Sequence, residues 1–319
     1  MSLLGADEPL VYPALQERDG RRVSRSPWGP DDVIGRLNWM TPASQAAALA
    51  GADAARPFDL AVDHFPGMPS WLQAGDPKYD IWMTHTPSGE VADAPPGPQR
   101  EQFERNAYAG SAITMYTHVG THVCSLLHIG YDGLFWNGRR QADDLGSRAW
   151  REGGALPPIV ARGVLLDVAG LHGAGSLPDS YDIGPADLRA AAARAGVEPQ
   201  RGDVVFVRTG RMARWPDAEG FMRNPPGIGL EAGRYLAEEV GAMCVGVDCG
   251  GETMPPRTPG EFLPVHAYLL ATAGVTVFEN LWLEQLAAAR VHRFALLAFP
   301  LKLRGSTGLP LRPVALPLT

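Results

Sequence analysis

Apolar and polar positions follow no steady order in the first half of the chain and settle into a clear alternation in the second. From residue 164 onward, short apolar runs and helix-like runs succeed one another roughly every twenty residues. Residues 164–168 (VLLDV) read as a strand. Gly184 and Pro185 then open a helix over 186–195 that Gly196 closes, with proline at the start and glycine past the end. Residues 204–208 (VVFVR) are the next strand. Leu230, Ala232, Leu236 and Val240 stand near helical spacing, and Gly241 stops that helix before a strand over 243–247. The pattern repeats with a helix over 264–273 ended by Gly274, a strand over 275–278, a helix over 283–289 and a strand over 294–299. Strands apolar on both faces and interleaved with helices predict an α/β sheet covered on both sides.

The first half predicts less order. Thr41 and Pro42 supply an N-cap and first turn for a helix over 43–50, while 67–99, rich in Pro, Gly, Asp and Trp, reads as long loops. Trp28, Trp39, Trp71 and Trp82 fall in this half, where loop tryptophans line pockets or subunit contacts as readily as they fill a core. Residues 1–27, polar and arginine-rich, read as an extended arm over the surface or onto a neighbouring subunit, leaving 28–319 as a single domain.

Composition narrows the function. With 45% hydrophobic residues over 319 positions, the chain can bury one sizeable core or two smaller ones, which excludes a disordered protein. The net charge is -7 and no Lys/Arg run exceeds two residues, so nucleic acid is not an expected partner. No apolar run approaches the ~18 residues of a membrane span, and Met1 to Glu8 lacks a secretory pattern, so a cytoplasmic protein is expected. Three cysteines (Cys124, Cys244 and Cys249) form no disulfide framework and fit a reducing compartment.

One segment concentrates chemistry: His118-Val-Gly-Thr-His122-Val-Cys124-Ser-Leu-Leu-His128, three of the eight histidines and one of the three cysteines. If extended, residues 118, 122, 124 and 128 share one face; if helical after Thr121, Cys124 and His128 stack at i and i+4. Converging imidazole and thiolate suit a borderline cation such as Zn²⁺ with an open position for activated water, which implies hydrolysis. Glu279 ends an otherwise apolar strand, where a carboxylate is costly to bury unless paired. Cys244 and Cys249 lack ligand spacing and read as buried thiols, Asp248 as a turn or cap residue, and His64, His85, His172 and His292 as surface or packing residues.

The run HVGTHVCSLLH resembles the signature of the metal-dependent cyclase family, which includes bacterial kynurenine formamidases (arylformamidases) and isatin hydrolases and reads H-x-G-T-H-x-D-x-x-x-H. Supporting pieces are Trp28 to Asp32, Gly35 to Asn38, Gly133 to Gly138, Gly202 to Gly210, Pro264 to His266, Phe278 to Leu281 and Leu301 to Gly305. The resemblance implies a mixed sheet with packed helices, of swivelling β/β/α type. It also implies a hydrolase cleaving the C–N bond of a formamide, amide or cyclic amide in a small, possibly aromatic substrate. Metal ligands would be His118, His122 and Cys124, the last replacing the family aspartate; Zn²⁺ is then expected over Mn²⁺, which prefers carboxylate oxygen. His128 would orient or activate water as a base of near-neutral pKa. His266 and Glu279 would complete the site, holding a second metal or relaying a proton. A homodimer or homotetramer is expected. Two alternatives stay open: a cyclase-fold protein that binds a small ligand without ordinary metal hydrolysis, and a hydrolase using Cys124 as a nucleophile beside His128.

Overall fold

Nine strands in one mixed sheet carry the alternation predicted for the second half, in a computed structural model that describes residues 9–144, 150 and 156–318. The strands are β1 (Phe58–Asp59), β2 (His122–Cys124), β3 (Ile159–Asp167), β4 (Val204–Arg208), β5 (Cys244–Val247), β6 (Thr276–Glu279), β7 (Arg293–Ala298), β8 (Gly308–Pro310) and β9 (Val314–Pro317). Their order is β8-β2-β6-β5-β4-β3-β7-β9-β1. The central four, β6-β5-β4-β3, run parallel, and every outer pairing is antiparallel.

Helix boundaries follow the local chemistry. Thr41 caps Pro42–Leu49, its hydroxyl accepting from Ser44 N while the Ser44 hydroxyl accepts from Thr41 N. Pro185–Ala195 ends at Gly196 in the left-handed region, and the helix Leu230–Arg234, widening into a π-helical stretch over Tyr235–Val240, ends likewise at Gly241. Strand alternation then sorts the core. Val164, Leu166, Val205, Val207, Val245 and Val277 pack against Leu188, Leu236, Leu269 and Leu270 of the helices. Leu165, Phe206, Phe278, Phe294 and Leu296 pack on the opposite face with Leu37, Trp39 and Leu286. Both faces are covered, as continuous apolar strands require.

Two expectations need correction. The stretch 67–99 is not loop throughout: Asp80–His85 pairs antiparallel with Gly110–Thr114, and Pro87–Asp93 is helical. Periodicity missed this hairpin because both its faces meet solvent, so its apolar residues do not alternate with polar ones. The described part of the N-terminal segment is also no simple extended arm. Ala14–Arg18 and Arg21–Ser24 form a hairpin whose Val23 is buried and whose Arg22 carbonyl accepts from the Thr272 hydroxyl of this same chain. Met1 to Glu8 lies outside the described residues. No helix among the described residues is long and apolar enough to cross a membrane.

The motif pieces upstream and downstream of the histidine run act as a clasp. Asp32 accepts hydrogen bonds from Ser26, Gly35, Asn38 and, at 2.8 Å, Trp136 Nε1, while Asn137 Nδ2 donates to the Gly29 carbonyl at 2.8 Å. Arg36 is fully buried and donates to the carbonyls of Ala237, Ala242 and Leu10, placing a cation at the end of the 230–240 helix.

Candidate metal centre

The centre is built on β2, a three-residue strand held between β6 and β8. The period of two puts His122 and Cys124 on one face, and the antiparallel register sets Glu279 directly opposite His122 and Gly308 opposite Cys124. His118 arrives by a turn: Gly120, at φ 63°, adopts the left-handed conformation that reverses the chain between the two histidines. Neither anticipated geometry spans 118–128. Only His122–Cys124 is strand, and the chain turns again so that His128 N donates to the Ser125 carbonyl at 3.1 Å.

One ligand atom from each of His118, His122, Cys124 and Glu279 falls within 4.8 Å of the others, and all four residues are buried. His118 Nδ1 lies 3.4 Å from Cys124 Sγ, and its Nε2 meets the Thr307 hydroxyl at 2.9 Å. His122 Nδ1 donates to the Gly120 carbonyl at 2.9 Å, which aims Nε2 at the cluster. That Nε2 is 2.9 Å from Glu279 Oε2, an ion-pair distance, yet it is buried without an aligned hydrogen-bond partner. A buried nitrogen in that position, beside a sulfur and a carboxylate, has the chemistry of a divalent-cation site. Glycine makes the room: a Cβ at position 308 would stand 2.7 Å from the His118 ring, and one at 251 would stand 2.6 Å from His266 and 2.7 Å from Glu279 Oε1.

A second tier supports these groups. His266, on the short helix Pro264–Ala267, directs both its backbone N–H and Nδ1–H to Glu252 Oε2, at 3.0 and 2.7 Å, while Nε2 donates to Glu279 Oε1 at 3.1 Å. His128 stacks on His118 with ring centroids 3.6 Å apart and stands edge-on to His266 at 6.4 Å.

The buried charges balance one another. Burial works to raise the Glu279 pKa, but His266 and His122 overcome it and hold the carboxyl well below the usual range. Burial likewise lowers His122, and the Cys124 sulfur with Glu279 reverses that to about 10. His118 is depressed well below its ordinary value by burial and by His128. His128 falls to about 3 through burial and His266, below the near-neutral value that a water-activating base calls for.

The structure therefore gathers all six candidate residues and sorts them differently. Glu279 joins His118, His122 and Cys124 among the convergent ligand atoms, while His128 and His266 flank that set. The imidazole beside Cys124 Sγ is that of His118, not the His128 expected of a thiol nucleophile. Glu252 and Thr307 were missed: neither carries a sequence signal, since both reach the site only through register and loop packing. Asp248 caps a turn, accepting from Thr209 N, the Thr209 hydroxyl and Gly210 N. Cys244 and Cys249 are buried thiols whose pKa burial raises.

The sequence model of the cyclase family ("Putative cyclase") matches residues 58–251. That match spans more than half of the 319 residues, and the chain belongs to this family. A crystal structure of a novel cyclase is 29% identical, with a TM-score of 0.76 over 91% of this chain and 95% of that one. Isatin hydrolase A from Labrenzia aggregata, bound to benzyl benzoate, shares the fold at 22% identity and a TM-score of 0.60, over 83% of this chain and 94% of its own. An isatin hydrolase bound to the product analogue thioisatinate does so at 20% identity and 0.60, over 88% and 100%. No curated protein matches the chain.

Proposed function

We propose that the protein is a metal-dependent hydrolase cleaving the C–N bond of a small amide, formamide or cyclic amide, with an aryl group on the substrate. The observation that carries this reading is the convergence of four buried donors, from His118, His122, Cys124 and Glu279, within 4.8 Å. Membership of the cyclase family and the shared fold of isatin hydrolases support it. A divalent cation held by these four residues would polarise the scissile carbonyl and lower the pKa of a bound water. The thiolate favours Zn²⁺ over Mn²⁺.

The chain's own groups do the rest. Glu279 Oε1, paired with His266, links the ligand set to a buried proton-bearing imidazole. His266 Nε2–H is the donor closest to the cluster through that carboxylate and is suited to protonate the leaving amine. His128, stacked on His118 and held neutral, serves as an acceptor that orients water.

Metal content per chain by mass spectrometry, on protein purified without chelator, tests the reading together with turnover of aryl formamides. About one equivalent of zinc, lost in Cys124→Ala along with turnover, is the expected result. Metal-free protein that gains no turnover when zinc is supplied rejects it.

A further inference from the structure

A cleft of about 390 Å³ opens where the N-terminal hairpin meets the helical runs over 230–240 and 264–272. That volume lies in the ~300–1,000 Å³ range of small-molecule sites. The cleft shares no residue with the ligand cluster or with the groups that support it. Its floor is largely apolar and aromatic, with Tyr12, Tyr268 and Ala273 buried, while Glu17, Asp19 and Glu238 stand exposed at the rim.

Much of the charge around the cleft is already answered. Arg21 pairs with Asp19 at 3.4 Å, and Arg234 pairs with Glu231 at 3.2 Å while its guanidinium lies 5.8 Å from the Tyr268 ring centroid. Glu238 accepts from the Tyr268 hydroxyl at 2.5 Å. Two half-buried groups of opposite sign are left over. Arg22 Nε is buried with no hydrogen-bond partner among the described residues, and no carboxylate among them lies within ion-pair distance of the guanidinium. Its backbone is held in place, since the Thr272 hydroxyl donates to the Arg22 carbonyl. The Glu261 carboxylate likewise meets no cation among the described residues. Tyr131 lines the same cleft, and burial together with Glu261 pushes its phenol pKa up, so the hydroxyl stays a donor.

These charges narrow the ligand. The lining carries three arginines (Arg21, Arg22 and Arg234) against four carboxylates (Glu17, Asp19, Glu238 and Glu261), a net charge of -1 that repels phosphorylated polyanions. A simple cation would leave the buried Arg22 Nε unanswered, and a simple anion would leave Glu261 so. One molecule bearing a carboxylate and an ammonium answers both, and a guanidinium fork matches a carboxylate. We infer that this cleft is a binding site for a small zwitterion, an α-amino acid with an aromatic side chain, its carboxylate on Arg22, its ammonium at Glu261 and its ring against Tyr131 and Tyr268. The site is independent of the reaction proposed for the ligand cluster.

The test is calorimetric titration of the full-length protein with L-phenylalanine and two blocked forms: N-acetyl-L-phenylalanine, which lacks the ammonium, and L-phenylalaninamide, which lacks the carboxylate. Wild type is expected to bind phenylalanine at least about tenfold more tightly than either. Arg22→Gln, which keeps the hairpin backbone and removes the charge, should erase the margin over phenylalaninamide. Glu261→Gln should erase the margin over the N-acetyl form. Cys124→Ala, which alters the ligand cluster and leaves the cleft intact, should bind phenylalanine as wild type does. No binding of phenylalanine at millimolar concentration, or blocked forms that bind as tightly as the parent, would overturn the assignment. So would binding that survives Arg22→Gln and is lost in Cys124→Ala, which would put the amino acid at the cluster instead.

Discussion

Cys124 puts a sulfur among the convergent candidate ligand atoms. With His118, His122 and Glu279 it offers two imidazoles, one sulfur and one carboxylate, a donor set softer than one with aspartate at that position. Replacing Cys124 with Asp should therefore lower the Zn²⁺ to Mn²⁺ selectivity by an order of magnitude or more, measured by competitive loading and mass spectrometry. Unchanged selectivity would mean the sulfur does not ligate. Glu252 acts one step further out, as a positioning residue. It receives two hydrogen bonds from His266, so Glu252→Ala strands a buried backbone N–H and frees the imidazole to turn away from Glu279. The expected loss is about 10- to 100-fold in kcat with KM and metal content little changed, and partial recovery in Glu252→Gln. A fall in thermal stability with kcat intact would mark a purely structural role. The candidate ligands were legible in the sequence as a cluster because three of them crowd seven positions. Glu252 and Thr307 were not, because nothing local distinguishes a glutamate after two glycines or a threonine in a loop until tertiary contacts bring them to His266 and His118.

At the scale of elements, legibility followed burial. Strands 204–208 and 244–247 were found to within a residue because both faces are apolar, and the helices because glycine and proline punctuate their ends. The hairpin Asp80–His85 and Gly110–Thr114 escaped because its exposed Ile81, Trp82, Met83 and Ile113 give no signal of an inside and an outside. The cyclase-like segments near Trp28 and Trp136 were visible as motifs, but their work is mechanical: Asp32 ties one to the other. Between strands, Phe206 is the keystone, fully buried with the rings of Phe278 and Phe294 each 5.7 Å away. Phe206→Ala should cost about 3–5 kcal/mol, read from the shift in urea midpoint at unchanged slope. A cost below about 1 kcal/mol would show that the sheet collapses freely around the gap.

Across the molecule, two apolar layers share one sheet, and the buried carboxyl of Asp203 opposes stability. Burial raises its pKa to about 7, with Arg162 only partly opposing at 3.6 Å. Because the folded state holds this proton more tightly than the unfolded chain does, the contribution is full below about pH 4. It is lost as pH rises from there through about 7. Asp203→Asn should therefore gain on wild type over that window, by up to a few kcal/mol, and run parallel to it above pH 8. Denaturant midpoints at stepped pH check this, and a constant difference across the range would refute it.

The placement of β2 between β6 and β8 also dictates when the centre can exist. Its two neighbours are Thr276–Glu279 and Gly308–Pro310, more than 150 residues downstream. A nascent chain emerges N-terminus first, so the histidine run leaves the ribosome long before either edge that will hold it, and Thr307 follows His118 by 189 residues. Such distant pairing makes the site one of the last parts of the molecule to close. Any cation would therefore be taken up only after Gly308–Pro310 has been made, and a chain cut before Gly308 would leave the candidate ligands without one edge of their frame.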